Sequence, residues 1–174
     1  MGEYIYSAEA DGEDEPHLTS TVTLRDPFHP RLTLRKDFLH LPELHRTILE
    51  PHFDQWSRYG RMAAFLARIA LECPEARGIG IDRQTALLVE PDGSARVING
   101  PEYHLGRVSL MRLNCPAEVI EPGKPLTARG IEVLQFGHGD RIDLRKWTGK
   151  PRCTFRFEIE AGSPRVIQKT EKNE

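Results

Sequence analysis

The chain has 174 residues, enough for one domain with its own core, and its 39% hydrophobic and 29% charged residues are normal for a globular protein. With 24 basic and 26 acidic residues, the formal net charge of −2 excludes a general electrostatic attraction to nucleic acid or anionic membranes. No apolar run approaches the roughly 20 residues that a membrane-spanning helix needs.

The amino terminus and the cysteines indicate the compartment. The first residues, MGEYIYSAEADGEDEPH, contain neither a basic start nor an apolar stretch, which argues against a signal peptide. Cys73, Cys115 and Cys153 form no CxxC pair, so they suggest neither a zinc site nor a disulfide framework. We therefore predict free thiols and a cytoplasmic location.

The first part of the chain predicts loops and one short strand. The acidic run EADGEDEP at 9–16 predicts a solvated loop, and DPFHP at 26–30 predicts a turn. RLTLR at 31–35 is strand-like. FLHLPEL at 38–44 is apolar but interrupted by Pro42, which favours a loop or a short helical turn.

The clearest helix is predicted from Ser57 to Glu72. Its apolar residues recur at i, i+3, i+4 and i+7 and therefore share one face: Met62, Phe65, Leu66 and Ile69. Ser57 is a suitable N-cap, and Pro74 ends the helix.

After Pro74 the pattern changes from helical to strand periodicity. Strands are predicted at 78–82, 131–136, 141–144 and 154–160, and a β-hairpin at 85–98 around the turn PDGS. We predict an α/β fold in which the helix covers a sheet containing 78–82 and a β-rich C-terminal part follows. One helix followed mostly by strands is unusual for a complete α/β enzyme, whose parallel strands alternate with helices.

His52 is the strongest candidate for catalysis. A general base needs a pKa near neutrality and a group that orients its second ring nitrogen. Glu50 lies two residues upstream, and Pro51 biases the backbone toward extended geometry, in which residues i and i+2 point to the same side. The alternative is a histidine at a helix entry that bonds only nearby backbone.

Other polar residues give weaker signals. Asp82 ends a strand, where open α/β sheets carry ligand-facing residues, but by itself it is better explained as a turn residue. Thr85 follows three residues later. None of the six serines lies in a G-x-S-x-G elbow, and the seven histidines form no HxH or HExxH pair. Neither a metal nor a cofactor is predicted.

Three motifs follow one another in a specific order. EPHF occupies 50–53, Arg58 and Arg61 flank Gly60, and GIGIDRQTALLVE occupies 78–90. This order resembles the cyanophycinase-like serine peptidases, relatives of aspartyl dipeptidases in the class I glutamine-amidotransferase-like superfamily. In that family a D-x-H-F segment precedes an R-x-R-x-G-R helix start and then a G-I-G-I-D-E-x-T-A strand and turn.

The resemblance extends to the flanking segments and implies a fold. DFLHLPEL at 37–44 looks like the family's approach to the histidine strand, and PGKPLT at 122–127 looks like its C-terminal extension. The implied fold is a partial three-layer glutamine-amidotransferase-like (flavodoxin-like) fold with a β-rich C-terminal part. Within a single domain, 1–174, it has three parts: a loop-rich entry at 1–36, the histidine segment, helix and hairpin at 37–100, and a β-rich extension at 101–174.

The same resemblance implies roles for particular residues. The catalytic set is His52, Glu50 and Asp82, and the substrate-binding set is Arg58, Arg61 and Thr85. His52 and Glu50 are expected in one exposed concavity near Asp82.

The sequence departs from the family pattern at three points. The acid that follows G-I-G-I-D is Arg83 here, and the first arginine of R-x-R-x-G-R is Trp56. The family's nucleophilic serine lies in a G-x-S-A-G-A elbow upstream of these motifs, and this sequence contains no such elbow. The chain therefore resembles the C-terminal half of a peptidase, as expected of a truncated or split member of the family.

Two functions follow from this resemblance. The first is hydrolysis of aspartate-rich or β-aspartyl-arginine peptides, with the chain inactive alone because it lacks the nucleophile. Its expected partners are a peptide substrate, if complemented, and an N-terminal half or a second copy, but neither nucleic acid nor membrane. The alternative is a non-catalytic binding or oligomerisation module derived from that family, which Arg83 and the missing serine favour.

Overall fold

Strands dominate this protein, and helices are few. The computed structural model describes residues 2–7, 18–54 and 58–171. Its helices are α1 (Ser20–Arg25), α2 (Tyr59–Ile69) and a short 3-10 helix at Pro42–Leu44. Its strands are β1 (Ile5–Ser7), β2 (Thr33–Arg35), β3 (Thr47–Pro51), β4 (Arg77–Ile81), β5 (Thr85–Val89), β6 (Ser94–Asn99), β7 (Val108–Leu113), β8 (Ala128–Phe136), β9 (Arg141–Asp143), β10 (Thr148–Gly149), β11 (Cys153–Glu160) and β12 (Ser163–Glu171). The predicted α/β class is confirmed, with mostly sheet and few helices.

The central sheet has six strands in the order β12-β11-β8-β7-β4-β3. Its strands pair antiparallel except for β3 and β4, which run parallel with Leu49 opposite Ile79. A four-stranded sheet has the order β10-β9-β6-β5, and β1 pairs with β2. Because β3 and β4 are parallel, their carboxyl ends meet at the same edge of the central sheet.

Each face of the central sheet has its own apolar core. On one face the sheet packs against α2, and the core there includes Ile48, Met62, Phe65, Met111 and Val133. On the other face it packs against the four-stranded sheet, and the core there includes Ile79, Val97, Leu110, Phe136 and Ile142. In the described residues, therefore, helix covers one face and sheet covers the other.

Helix α2 confirms the predicted helix but is shorter than predicted. The predicted apolar residues Met62, Phe65, Leu66 and Ile69 are all buried, as expected for one face directed at the core. The helix ends at Ile69 because its last turn tightens: the Leu71 N–H donates to the Arg68 carbonyl at 3.2 Å, an i to i−3 bond. The predicted N-cap, Ser57, lies outside the described residues.

The strand predictions are largely confirmed. The strand at 78–82, the hairpin at 85–98 and the three later strands all form, and RLTLR contains β2. FLHLPEL contains the short 3-10 helix. The acidic run at 9–16 lies outside the described residues. None of the described helices is long and apolar enough to span a membrane.

Gly80 of β4 makes room for the Phe53 ring. A Cβ built on Gly80 would lie 2.5 Å from Phe53 Cγ and Cδ1, and Phe53 is completely buried. We expect Gly80→Ala to lower the free energy of unfolding by about 1–3 kcal/mol, because the ring must leave a packed position. Gly100→Ala is the control, since its Cβ would meet its nearest neighbour at 3.5 Å. Urea denaturation measures both variants, and equal midpoints would contradict this packing argument.

Candidate active site

The carboxyl ends of β3 and β4 bring two predicted site segments together. Pro51 lies opposite Ile81 in the parallel register, so His52 and Asp82 follow their strands at the same level. The Phe53 N–H donates to the Ile81 carbonyl at 3.0 Å and ties the chain after β3 to the end of β4. Ligands bind at such strand ends in open α/β sheets.

His52 is exposed at this edge, whereas Glu50 is buried. His52 has a φ of 52°, in the left-handed region, because the chain leaves the extended conformation after Pro51. The expectation that Glu50 and His52 share an extended i, i+2 face was therefore wrong. Only 4% of Glu50 is exposed, so the prediction that Glu50 shares an exposed concavity with His52 was also wrong.

Glu50 is the centre of a buried ion cluster with two arginines. Its Oε1 atom accepts from Arg61 Nη2 and lies 3.5 Å from Arg58 Nη1. Arg61 Nη1 also donates to the Leu18 carbonyl at 2.8 Å, and Arg58 Nη1 donates to the Pro51 carbonyl. Burial lowers the pKa of both guanidinium groups, although Tyr6 opposes this effect at each of them and Asp54 opposes it at Arg58. The cluster fixes the end of β3 to the start of α2.

The substrate-binding role predicted for Arg58 and Arg61 stays a prediction. Both residues are buried, and the hydrogen bonds above turn them toward Glu50 and backbone carbonyls. The sequence pointed to these arginines through the family motif, but it did not show that they would enclose the carboxylate.

Asp82 joins the end of β4 to the loop that precedes β7. Its Oδ2 atom accepts from the Arg107 N–H at 2.8 Å, and its own N–H donates to the Arg107 carbonyl at 3.0 Å. Burial raises the pKa of Asp82 to about 6, and the negative charge of Asp54 adds to this effect, while the Arg107 N–H opposes it. The partly buried carboxyl group of Asp82 therefore loses its proton at a pH of about 6, closer to neutral than an ordinary aspartate does.

The raised pKa of Asp82 predicts a specific pH dependence of stability. The folded protein holds this proton more tightly than the unfolded chain does, so stability falls as pH rises from 3.8 to about 6 and then levels off. Asp82→Asn carries no charge. We expect the free energy of unfolding of Asp82→Asn, minus that of the unmodified protein, to increase as pH rises from 3.8 to about 6. At higher pH this difference should stay constant at its larger value. Urea denaturation at a series of pH values measures the difference.

Asp92→Asn is the matched control for this experiment. Hydrogen bonds from the Ser94 side chain and backbone lower the pKa of Asp92, so removing its charge should produce the opposite trend with pH. A flat difference between Asp82→Asn and the unmodified protein would contradict the environment assigned to Asp82.

A second polar cluster at this edge joins Asp54, Arg83 and Tyr103. Asp54 accepts from the Arg83 N–H at 3.0 Å and from the Tyr103 hydroxyl at 2.8 Å. The Arg83 Nε atom lies 3.4 Å from Asp54 Oδ2, and its guanidinium carbon lies 4.9 Å from the Tyr103 ring centroid. Although burial raises the pKa of Asp54, these hydrogen bonds lower it by more. The sequence signalled only Arg83, as a departure from the family pattern.

The remaining predicted residues lie around this edge or outside it. Thr85 is half-buried, and its hydroxyl donates to the Arg83 carbonyl at 3.1 Å, so it supports the turn after β4. Trp56 lies outside the described residues. Within residues 2–7, 18–54 and 58–171, no group of three or more His, Cys, Asp or Glu side chains could hold a metal ion.

Ser109 lies close to this site but is fully buried. It pairs with Gly80 across β7 and β4, and its hydroxyl lies 3.3 Å from the Tyr59 hydroxyl. Gln135 Nε2 donates to the same Tyr59 hydroxyl at 2.7 Å. A serine enclosed in this way cannot approach a peptide carbonyl, so Ser109 does not serve as a nucleophile.

Comparison with known proteins supports a cyanophycinase-like, and therefore peptidase-like, relationship. The chain is 30% identical over 112 residues to the cyanophycinases of Trichormus variabilis and of Nostoc sp.. The matched region covers 64% of this chain but only 35% of each relative. The chain thus spans about a third of the length of the curated relatives it matches. No family model matches it.

Proposed function

We propose that this chain is the histidine-bearing part of a cyanophycinase-like serine peptidase, with His52 as its general base. The observation that carries the proposal is the position of His52, exposed on a short loop at the carboxyl ends of β3 and β4. The similarity to cyanophycinases over 112 residues supports it. The proposed substrates are aspartate-rich or β-aspartyl-arginine peptides.

In the proposed reaction, the serine comes from a G-x-S-A-G-A segment that this sequence does not contain. As the serine Oγ attacks the peptide carbonyl, His52 takes the proton of the serine hydroxyl. His52 then gives this proton to the departing amine. Water then hydrolyses the acyl-enzyme in the second half of the reaction. Asp82 lies at the same sheet edge. When its carboxyl group is ionised, its negative charge favours the imidazolium that forms on His52.

Glu50, Arg58 and Arg61 have a positioning role in this proposal. All three are buried, and Arg58 holds the carbonyl of Pro51, the residue just before His52. The cluster therefore orients the loop that carries the base without touching substrate. Thr85 is the proposed substrate contact, because it is half-buried at the same edge.

The proposal includes a continuation of the central sheet beyond β3. β3 is the last strand of the six-stranded order, and among the described residues the N-terminal segment lies beside it, with a parallel bridge between Tyr4 and Ile48 and a 3.0 Å hydrogen bond from the Tyr4 N–H to the Thr47 carbonyl. Unpaired backbone groups at a sheet edge favour association with another strand. A flavodoxin-like sheet completed here by an N-terminal half, or a second copy, is the proposed assembly.

A non-catalytic binding module is the second candidate function. Arg83 occupies the position of the family's acid, and it is paired with Asp54 and stacked on Tyr103. A cation at this position disfavours the imidazolium that a histidine base must form. This observation favours ligand binding without turnover.

A chimera separates the two candidates. The region of the Nostoc cyanophycinase that the match covers is replaced by the matched residues of this chain, and hydrolysis of a β-aspartyl-arginine peptide of several units is measured. The peptidase proposal predicts turnover by the chimera and none by the chain alone. A folded chimera that shows no turnover would favour the binding module.

A further inference from the structure

Arg83 is held in a fixed orientation while much of its surface remains open. The side chain is 49% exposed, yet its backbone N–H and its Nε atom both face the Asp54 carboxylate. The Tyr103 ring centroid lies 4.9 Å from the guanidinium carbon, within the range of a cation–π contact that also restrains the side chain. An arginine anchored in this way loses little conformational freedom when it binds a ligand.

The Asp54 carboxylate does not occupy the whole guanidinium. Asp54 is shared among the Arg83 N–H, the Arg83 Nε atom and the Tyr103 hydroxyl. Among the described residues, no other carboxylate forms an ion pair with Arg83. Within that part of the chain the terminal amines have no carboxylate partner of their own besides Asp54, and two parallel N–H groups match the two oxygens of a carboxylate.

We propose that Arg83 is a carboxylate-binding site at the edge of the sheet that carries His52. The ligand class is an acidic peptide, bound through an aspartyl side chain or through its α-carboxylate. A position of the bound carboxylate beside the scissile bond rests on the proposed function. The binding of the carboxylate to Arg83 does not depend on catalysis.

Calorimetric titration of the full chain with short peptides tests this site. N-acetyl tetra-aspartate amide offers only side-chain carboxylates, N-acetyl tetra-alanine offers only an α-carboxylate, and its amide offers neither. We expect one or both acidic peptides to bind and the uncharged peptide not to bind. Arg83→Gln should weaken binding at least about tenfold, the scale of a charge-assisted hydrogen bond. Arg83→Lys keeps the charge but loses the two-pronged geometry, so it should bind with intermediate affinity.

Arg96→Gln is the matched control, because Arg96 is exposed on the four-stranded sheet and the charge change is the same. Its affinity should equal that of the unmodified chain. The proposal is overturned if the unmodified chain binds neither acidic peptide, if Arg83→Gln binds as tightly, or if Arg96→Gln loses as much. Since no hydrolysis is measured, a chimera without turnover leaves this result unaffected.

Discussion

Glu50→Ala should lower the free energy of unfolding by about 3–5 kcal/mol, because it leaves two buried arginines without their carboxylate. Arg61 and Arg58 both approach Glu50 Oε1, and none of the three residues is more than 6% exposed. Removing one partner of a buried ion pair destabilises a protein more than replacing both partners with apolar residues, because the remaining charge stays desolvated and unpaired. Glu50→Gln keeps the shape and one acceptor oxygen, so its effect should be smaller. Urea denaturation measures the changes.

Glu121→Ala is the control for this experiment. Glu121 also pairs with a cation, Lys124, but both side chains are more than half exposed. Exposed pairs contribute about 0–1 kcal/mol, so the midpoint of unfolding should hardly move. If Glu50→Ala were as mild as Glu121→Ala, the buried cluster would not anchor β3 to α2.

His52→Gln should lower kcat of the chimera about 10²- to 10⁴-fold, the contribution expected of a positioned general base. KM should change little, because His52 handles a proton and does not hold the peptide in the proposed reaction. Steady-state hydrolysis of the same β-aspartyl-arginine peptide gives both constants.

His40→Gln is the control for His52, since His40 is another exposed histidine and lies before the start of β3, away from the carboxyl ends of β3 and β4. It should leave kcat unchanged. Equal losses in both variants would indicate a general effect on folding, and unchanged kcat in His52→Gln would remove His52 from the mechanism.

The helix and most strands could be predicted because their burial follows their periodicity. Met62, Phe65, Leu66 and Ile69 recur at helical spacing, and all four are buried. In β11, buried Phe157 and Ile159 alternate with exposed Glu160, which is the pattern of one buried face. Local sequence therefore determined these elements.

Helix α1, five strands and much of the site were not predicted in this way; the five strands are β1, β3, β7, β10 and β12. β7 is buried at four successive positions, Val108 to Met111, and β12 is exposed throughout, so neither alternates. Glu50 was expected beside His52 in an exposed cleft, but its partners are Arg61 of α2 and Arg58, the residue before α2. The positive φ of His52 also turns the chain away from extended geometry. Asp54 and Tyr103 are 49 residues apart, and only the paired sheet brings them together. Contacts between distant segments have no local sequence signal.

Labelling by a serine-directed fluorophosphonate probe, followed by mass spectrometry, tests the central claim most directly. In the chimera, we expect the serine contributed by the cyanophycinase to be labelled, and His52→Gln should abolish that labelling because the hydroxyl loses its base. The chain alone should show no labelled serine. Labelling that is independent of His52, or specific labelling of one of the six serines of this chain, would contradict the assignment of this chain as the histidine-bearing part of the site.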